Sequence, residues 1–330
     1  MRTEVCTLLG IDLPIVQAPI GSATTPALAA AVSNAGGLGM LALTWRDPEA
    51  SSRAIAATRA LTDRPFGVNL ALEWPQHERL ELCLEAGVRI ISLFWGDPSP
   101  YIAKVHDAGA LVLHTVGSAA EARWVVEAGV DVVVAQGFEA GGHVWGQVGT
   151  MALVPRVVDA VTPVPVLAAG GISDGRGIAA ALALGAQGAW LGTRFLASEE
   201  AYAHSVYKQL VVSAAETDTA YSSLFDGGWP NAPHRSLRNS TVAAWESYGR
   251  PPTGLRPREG QQLAAFADGR PVEVYSDTFP MPGMTGDLEG LALYAGQSAG
   301  LISDVRPAGQ IVRDLAAEAS AASGRLQTLT

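Results

Sequence analysis

The residues of this chain best suited to chemistry are Gly141, Gly142 and His143. Just before them, Asp131-Val132-Val133-Val134-Ala135 is apolar and rich in β-branched residues, the pattern of a fully buried strand. A strand that ends in a Gly-Gly-His loop lets backbone approach a ligand closely and sets one titratable ring beside it. His143 is therefore the candidate for acid–base work, and His114, at the end of another apolar run, is the second choice. His77, His106, His204 and His234 stand in helical or loop contexts with no supporting motif. No His, Cys or acidic cluster has metal-ligand spacing and no GxSxG motif occurs, so no metal and no serine triad are expected.

Two further loops carry glycines, Gly170-Gly171 after one apolar run and Leu191-Gly192-Thr193 after the next. Without a Cβ, such turns let backbone N–H groups reach the oxygens of a phosphate. Asn69 and Gln136 close two other runs and offer amides to the polar edge of a ring system, while Ala18 and Pro19 would wall it. A phosphate, a flat apolar ring and amides for its rim describe flavin mononucleotide (FMN).

These residues need a frame that brings strand ends together. Apolar runs at 14–19, 38–41, 66–70, 89–94, 110–114, 131–135, 164–169 and 188–192 alternate with helical patterns. Thr25-Pro26 supplies an N-cap and a first-turn proline, and Ala86-Gly87, Ala128-Gly129 and Leu184-Gly185 supply helix stops. Strict alternation requires a parallel sheet with right-handed crossovers. Eight short units, with no GxGxxG after the first run, favour an α/β fold of the (β/α)8 TIM-barrel type over an open sheet. The two glycine loops would then follow strands seven and eight, where barrels commonly bind phosphate.

Beyond Phe195 the alternation fails. Residues 199–217, 239–248, 258–267 and 288–301 read as helices, and 221–237 as irregular chain. The expected organisation is an FMN-binding barrel of residues 1–196 and 286–320, with a mainly helical insertion, 197–285, over its active-site face. That segment, with Trp229 and Trp245, is the candidate surface for a homodimer contact.

A formal net charge of −10 argues against nucleic acid or anionic membrane as partner. Cys6 and Cys83 are far apart and read as buried thiols. No apolar leader or spanning stretch occurs, so a cytoplasmic enzyme is expected.

The chain resembles the nitronate monooxygenases, formerly called 2-nitropropane dioxygenases. The matching segments are Ile15-Val16-Gln17-Ala18-Pro19, Phe66-Gly67-Val68-Asn69, Gln136-Gly137-Phe138-Glu139-Ala140-Gly141-Gly142-His143 and Ala168-Ala169-Gly170-Gly171-Ile172. They continue with Leu191-Gly192-Thr193-Arg194-Phe195, Arg235-Ser236-Leu237-Arg238-Asn239 and Tyr294-Ala295-Gly296-Gln297. The resemblance implies oxidation of a nitronate or similar small anion by O2 on an FMN barrel. It makes Asn69, Gln136, Gly141, Gly171 and Trp190 to Thr193 FMN contacts and His143 the catalytic residue. Trp190 stands where that family usually has glutamine, and Val144-Trp145-Gly146 follows the histidine where arginine-glycine is usual. Both departures add indoles, which implies a tighter, more apolar substrate pocket. FMN-dependent enoyl-acyl-carrier-protein reductases share the Glu-Ala-Gly-Gly-His loop, so NAD(P)H-dependent reduction is the alternative.

Overall fold

Each apolar run becomes a strand because both of its faces find apolar cover. In the computed structural model, which describes residues 1–327, these are β1 (Ile15–Gln17), β2 (Gly39–Ala42), β3 (Phe66–Ala71), β4 (Ile90–Phe94), β5 (Leu111–Val116) and β6 (Val132–Gln136). After the short β7 (Gly142–His143), which lies outside the barrel, come β8 (Val166–Ala169) and β9 (Gly188–Leu191). The eight-stranded sheet runs β1-β9-β8-β6-β5-β4-β3-β2, parallel throughout. A bridge between Val16 and Leu38 brings its two edges together, with Gln17 N–H donating to Leu38 O and Leu38 N–H to Ile15 O, both at 2.9 Å. The chain thus forms a (β/α)8 barrel, as its alternation requires.

Side chains alternate across this wall. Val16, Met40, Ile90, Leu113, Val132, Val134, Leu167 and Trp190 fill the interior, whereas Ile15, Leu41, Val68, Ile91, Val112, Val133, Ala168 and Leu191 pack outward under the helices. Those helices are α2 (Pro26–Asn34), α3 (Pro48–Leu61), α4 (His77–Glu85), α5 (Ser99–Asp107), α6 (Ala119–Glu127), α7 (Thr150–Val161) and α8 (Gly175–Ala183). The expected cap is present, as Thr25 Oγ1 accepts from Leu28 N–H at 2.9 Å with Pro26 in the first turn. Before them an unexpected helix, α1 (Glu4–Leu9), sets Val5, Cys6 and Leu9 into the interior cluster and so plugs the barrel's N-terminal end. Cys6 and Cys83 are free and buried. Among the described residues no helix is long and apolar enough to cross a membrane.

The segment expected to be mainly helical carries as much sheet as helix. After α9 (Thr193–Leu196) it holds two helices, α10 (Ser205–Ser213) and α11 (Ser240–Ser247), and strands β10 (Thr219–Ser222), β11 (His234–Leu237), β12 (Gln262–Ala265), β13 (Pro271–Glu273) and β14 (Thr285–Gly286). Residues 258–267 look helical because of their alanines, yet Asp268-Gly269 turns the chain with Gly269 at φ +84°, and β12 pairs antiparallel with β13. The stretch 288–301 is not the barrel's closing helix. Glycines at 290, 296 and 300 interrupt it, and only Gln297–Leu301 forms a 3₁₀ turn. The last helix is α12 (Ala308–Gln327), which packs on α8 and α2.

Candidate active site

The inward positions change character toward the C-terminal end of the barrel. Asn69, Ser92, Thr115 and Gln136 replace the valines and leucines of the lower layers. Above them opens a cavity of about 510 Å³, within the range of about 300–1,000 Å³ common for ligand sites. Ala18, Pro19, Asn69, Gln136, Gly141, Gly142, His143, Gly170, Gly171, Trp190, Gly192 and Thr193 all line it. Leu191 does not, because its side chain points outward into the helix-facing core; only its carbonyl, which accepts from Ala18 N–H at 2.8 Å, helps shape the rim.

His143 is held by the inserted segment. Its strand β7 pairs antiparallel with β11, placing His143 opposite His234 and Gly142 opposite Arg235. Gln136 Nε2 donates to His143 O at 3.2 Å from below. Arg235 donates to Phe138 O through Nη2 at 2.9 Å and to Thr219 Oγ1 at 3.2 Å, which pins the loop ahead of the histidine. Glu139 accepts from the backbone N–H and hydroxyl of Thr150 at the start of α7, and that hydroxyl also reaches Gly170 O. The two glycines do different work. A Cβ on Gly141 would lie 2.3 Å from Gly296 N, so only glycine permits that backbone contact, whereas Gly142 adopts φ +72° with open space where a Cβ would stand.

The imidazole sits in an aromatic surround. Its centroid is 4.2 Å from the Trp229 ring, 5.5 Å from Tyr294 and 6.3 Å from Trp95. His143 Nε2 is buried and has no hydrogen-bond partner. Burial first, and the neighbouring His234 second, push its pKa down to about 3, so the ring is neutral at neutral pH. It is therefore a lone-pair donor or a neutral N–H in the resting site, not a fixed cation. Trp95 is held at φ +65°, a costly conformation for a bulky residue, with its ring between Trp229 at 4.9 Å and Trp145 at 4.8 Å.

At the opposite end, Gly170 and Gly171 adopt φ +92° and +72°. Among the described residues, the N–H groups of Gly171, Ile172, Gly192 and Thr193 donate to no acceptor in the chain. Thr193 Oγ1 accepts from Gly296 N–H at 3.0 Å, and Ser298, also on the cavity wall, hydrogen-bonds Ser173 through the two hydroxyls at 2.7 Å. Free amides and hydroxyls beside glycine turns fit a phosphate held by neutral donors. Asn69, whose Nδ2 donates to Ser92 O and Oγ, keeps its carbonyl available, and the walls between are Ala18, Pro19, Ala169 and Trp190. The residues present thus fit FMN: the glycine turns offer donors suited to a phosphate, and Asn69, Ala18, Pro19 and Trp190 offer an amide and apolar walls suited to a ring.

Several placements depart from the sequence reading. His114 lies on the outward face of β5, so Thr115 reaches the main cavity instead; His114 lines a separate pocket with Glu121 and Trp145. Trp190 lines the cavity, but Trp145 stands behind Trp95 and Phe94 and donates to Glu121 Oε1 at 2.9 Å. Trp229 is 2% exposed and roofs the site, which removes it from the candidate dimer surface. Sequence reasoning missed Trp45, Phe94, Trp229, Asp277, Tyr294 and Ser298, which also line the cavity. Tyr294 lies in a matching segment, Phe94 closes β4 and Ser298 falls in the 3₁₀ turn; Trp45, Trp229 and Asp277 stand in loops without periodicity.

The histidine and the glycine turns stand at the C-terminal strand ends, the face on which barrel enzymes carry their active sites, and comparison with known proteins makes the chain an oxidoreductase. The family model for nitronate monooxygenase matches residues 2–78 and 72–318, and the chain belongs to that family. It is 35% identical to the nitronate monooxygenase of Paraburkholderia phytofirmans over 94% of this chain and 93% of that protein. It is 40% identical to the (3aS,4S,5R,7aS)-5-hydroxy-7a-methyl-1-oxo-octahydro-1H-indene-4-carboxyl-CoA dehydrogenase of Mycobacterium tuberculosis over 76% of this chain and 70% of that one. Among solved structures, FabK from Thermotoga maritima superposes with a TM-score of 0.83 at 34% identity, covering all of both chains.

Proposed function

We propose that this protein oxidises alkyl nitronates, or nitroalkanes, with molecular oxygen, using non-covalently bound FMN. The observation that carries the reading is a buried, unpartnered His143 Nε2 in the same cavity as free amides at Gly171, Ile172, Gly192 and Thr193. When bound, FMN supplies the redox chemistry, taking electrons from the substrate and passing them to oxygen. The glycine turns and the hydroxyls of Thr193 and Ser298 would hold its phosphate, and Asn69 and Gln136 would orient the ring edge. Neutral His143 Nε2 is available to accept the proton α to a nitro group. Proton uptake there gives an imidazolium that offsets the nitronate's charge. Trp229, Trp95 and Tyr294 exclude water around it. The enzyme works on a small-molecule substrate in solution; a homodimer and a cytoplasmic location belong to the same reading.

The test uses the purified flavoprotein. Aerobic oxygen uptake with ethyl nitronate is expected, and His143→Ala should keep flavin bound while turnover drops by about 100-fold or more. Near wild-type turnover in that variant would remove His143 from the reaction. Anaerobic bleaching of the flavin by NADH or NADPH, without response to nitronate, would overturn the reading in favour of an enoyl-acyl-carrier-protein-reductase type of activity.

A further inference from the structure

The charge of the cavity wall is unusual for a site that is to take an anion. Among the described lining residues there is no lysine and no arginine, His143 is neutral, and the one carboxylate is Asp277. Asp277 sits on the loop leading out of β13, and no cationic group faces it. The groups near it are the Tyr294 hydroxyl, which donates to the Asp277 backbone O at 3.2 Å, and the polypeptide around Gly228. A Cβ at Gly228 would lie 2.3 Å from Asp277 Oδ2, so the carboxylate rests against bare backbone and any side chain at 228 would displace it. The next residue is Trp229, whose ring covers His143, and two residues along from Asp277 is Phe279, also on the wall. A half-buried carboxylate that no cation pairs, its proton affinity raised by that burial, lowers its free energy by meeting a cationic or N–H-bearing ligand group. Indole and phenyl faces beside it favour the same kind of group.

We propose that Asp277 is a specificity-determining residue that makes this cavity select substrates carrying a protonated amine on an apolar body, and reject those carrying a carboxylate. The reacting carbon then lies by His143 and the ammonium group pairs with Asp277, with Trp229 packed against the apolar body between them. This deepens the proposed oxidation and rests on it only for the location of the site, since the selection is a property of binding.

The experiment is a binding titration of the flavin-loaded protein, read by the flavin absorbance change, with benzylamine, benzyl alcohol and benzoate as probes of matched shape. Benzylamine is expected to bind at least tenfold more tightly than benzoate, with benzyl alcohol between them. Asp277→Asn should remove most of that ratio while leaving flavin content unchanged. A second variant, Gly228→Ala, which pushes the carboxylate away without deleting it, should also lower benzylamine affinity. Equal binding of benzylamine and benzoate, or an unchanged ratio in Asp277→Asn, would overturn the proposal. Failure of the protein to consume oxygen with any nitronate would count against the oxidation alone and would leave this titration to be judged by itself.

Discussion

At one end of the cavity Gly170, Gly171 and Gly192 offer backbone; at the other Trp229, Tyr294 and His143 offer side chains, with Trp95 packed behind Trp229. The first end belongs to barrel strands β8 and β9 and their loops, whose geometry the barrel itself fixes. The second end is assembled from a two-residue strand, an inserted sheet and a left-handed tryptophan, each held by something outside the barrel. A phosphate asks only for N–H groups at the right depth, so the barrel end can be built from glycine. A substrate asks for shape, dryness and charge, and those come from side chains that the insertion carries, as with Trp229, or holds in place, as with His143. Damage should therefore divide: at the glycine end it releases flavin, and at the aromatic end it stops turnover with flavin still held.

The largest effect is expected where the two ends join. Gly141→Ala places a methyl 2.3 Å from Gly296 N and 2.5 Å from Ala295 C, backbone atoms that cannot rotate away. Overpacking of this kind costs about 1–3 kcal/mol or more, and it forces apart the two loops that shape the phosphate end. The purified variant should carry little flavin and show no oxygen uptake. Gly142→Ala serves as the control, since its methyl meets open space and only the left-handed φ is penalised. If Gly141→Ala retained a full complement of flavin, the division between the ends would fail at its boundary.

Trp229→Ala comes next. This ring is buried against Trp74 at 5.0 Å, Trp95 at 4.9 Å and His143 at 4.2 Å. Its loss should destabilise the protein by about 3 kcal/mol and admit water to the imidazole. The His143 pKa then moves upward from about 3, because burial is the main cause of its depression. Flavin content should stay as in the wild type, with oxygen uptake lowered and newly dependent on pH near neutrality. Loss of flavin would show that the roof also holds the cofactor, and the two ends would no longer be separable.

The division also explains what can be read from the residues alone. Strand-and-helix alternation, the Thr25-Pro26 cap and the glycine turns are local patterns, and they place the barrel and its phosphate end. His143 is visible because its glycines announce an unusual backbone. Asp277, Trp45 and Trp229 carry no such mark, since they meet only after the insertion folds across the barrel mouth. The hairpin β12–β13 reads as helix because its alanine content outweighs a single Asp-Gly turn. His114 is misplaced by one residue of strand register, which in a barrel exchanges inside for outside.

The smallest expected effect separates the ends by acidity. The glycine turns contain no ionisable side chain, whereas β11 carries His234, fully buried, with its pKa pushed down to about 4 by burial against an ordinary value of 6.5. The folded state keeps this ring neutral, with Nδ1 against Ala232 O and Nε2 accepting from Phe225 N–H. Below an unfolded pKa of 6.5 the unfolded chain binds the proton that the folded chain refuses. The stabilisation is thus complete above that value and is lost as pH falls through the window down to about 4. On lowering the pH to about 5 the loss should be about 2 kcal/mol from this one residue. His143, on the paired strand β7, titrates in the same sense. His114 on β5, also pushed down to about 4, adds a similar loss in the barrel wall. Hydrogen exchange at pH 7 and pH 5 should therefore show protection lost in β10 and β11 before β8 and β9, with His234→Gln flattening the urea-unfolding dependence on pH. Uniform loss across all four strands, or an unchanged slope in the variant, would mean that the inserted sheet and the barrel open as one unit and that their difference ends at the ligand.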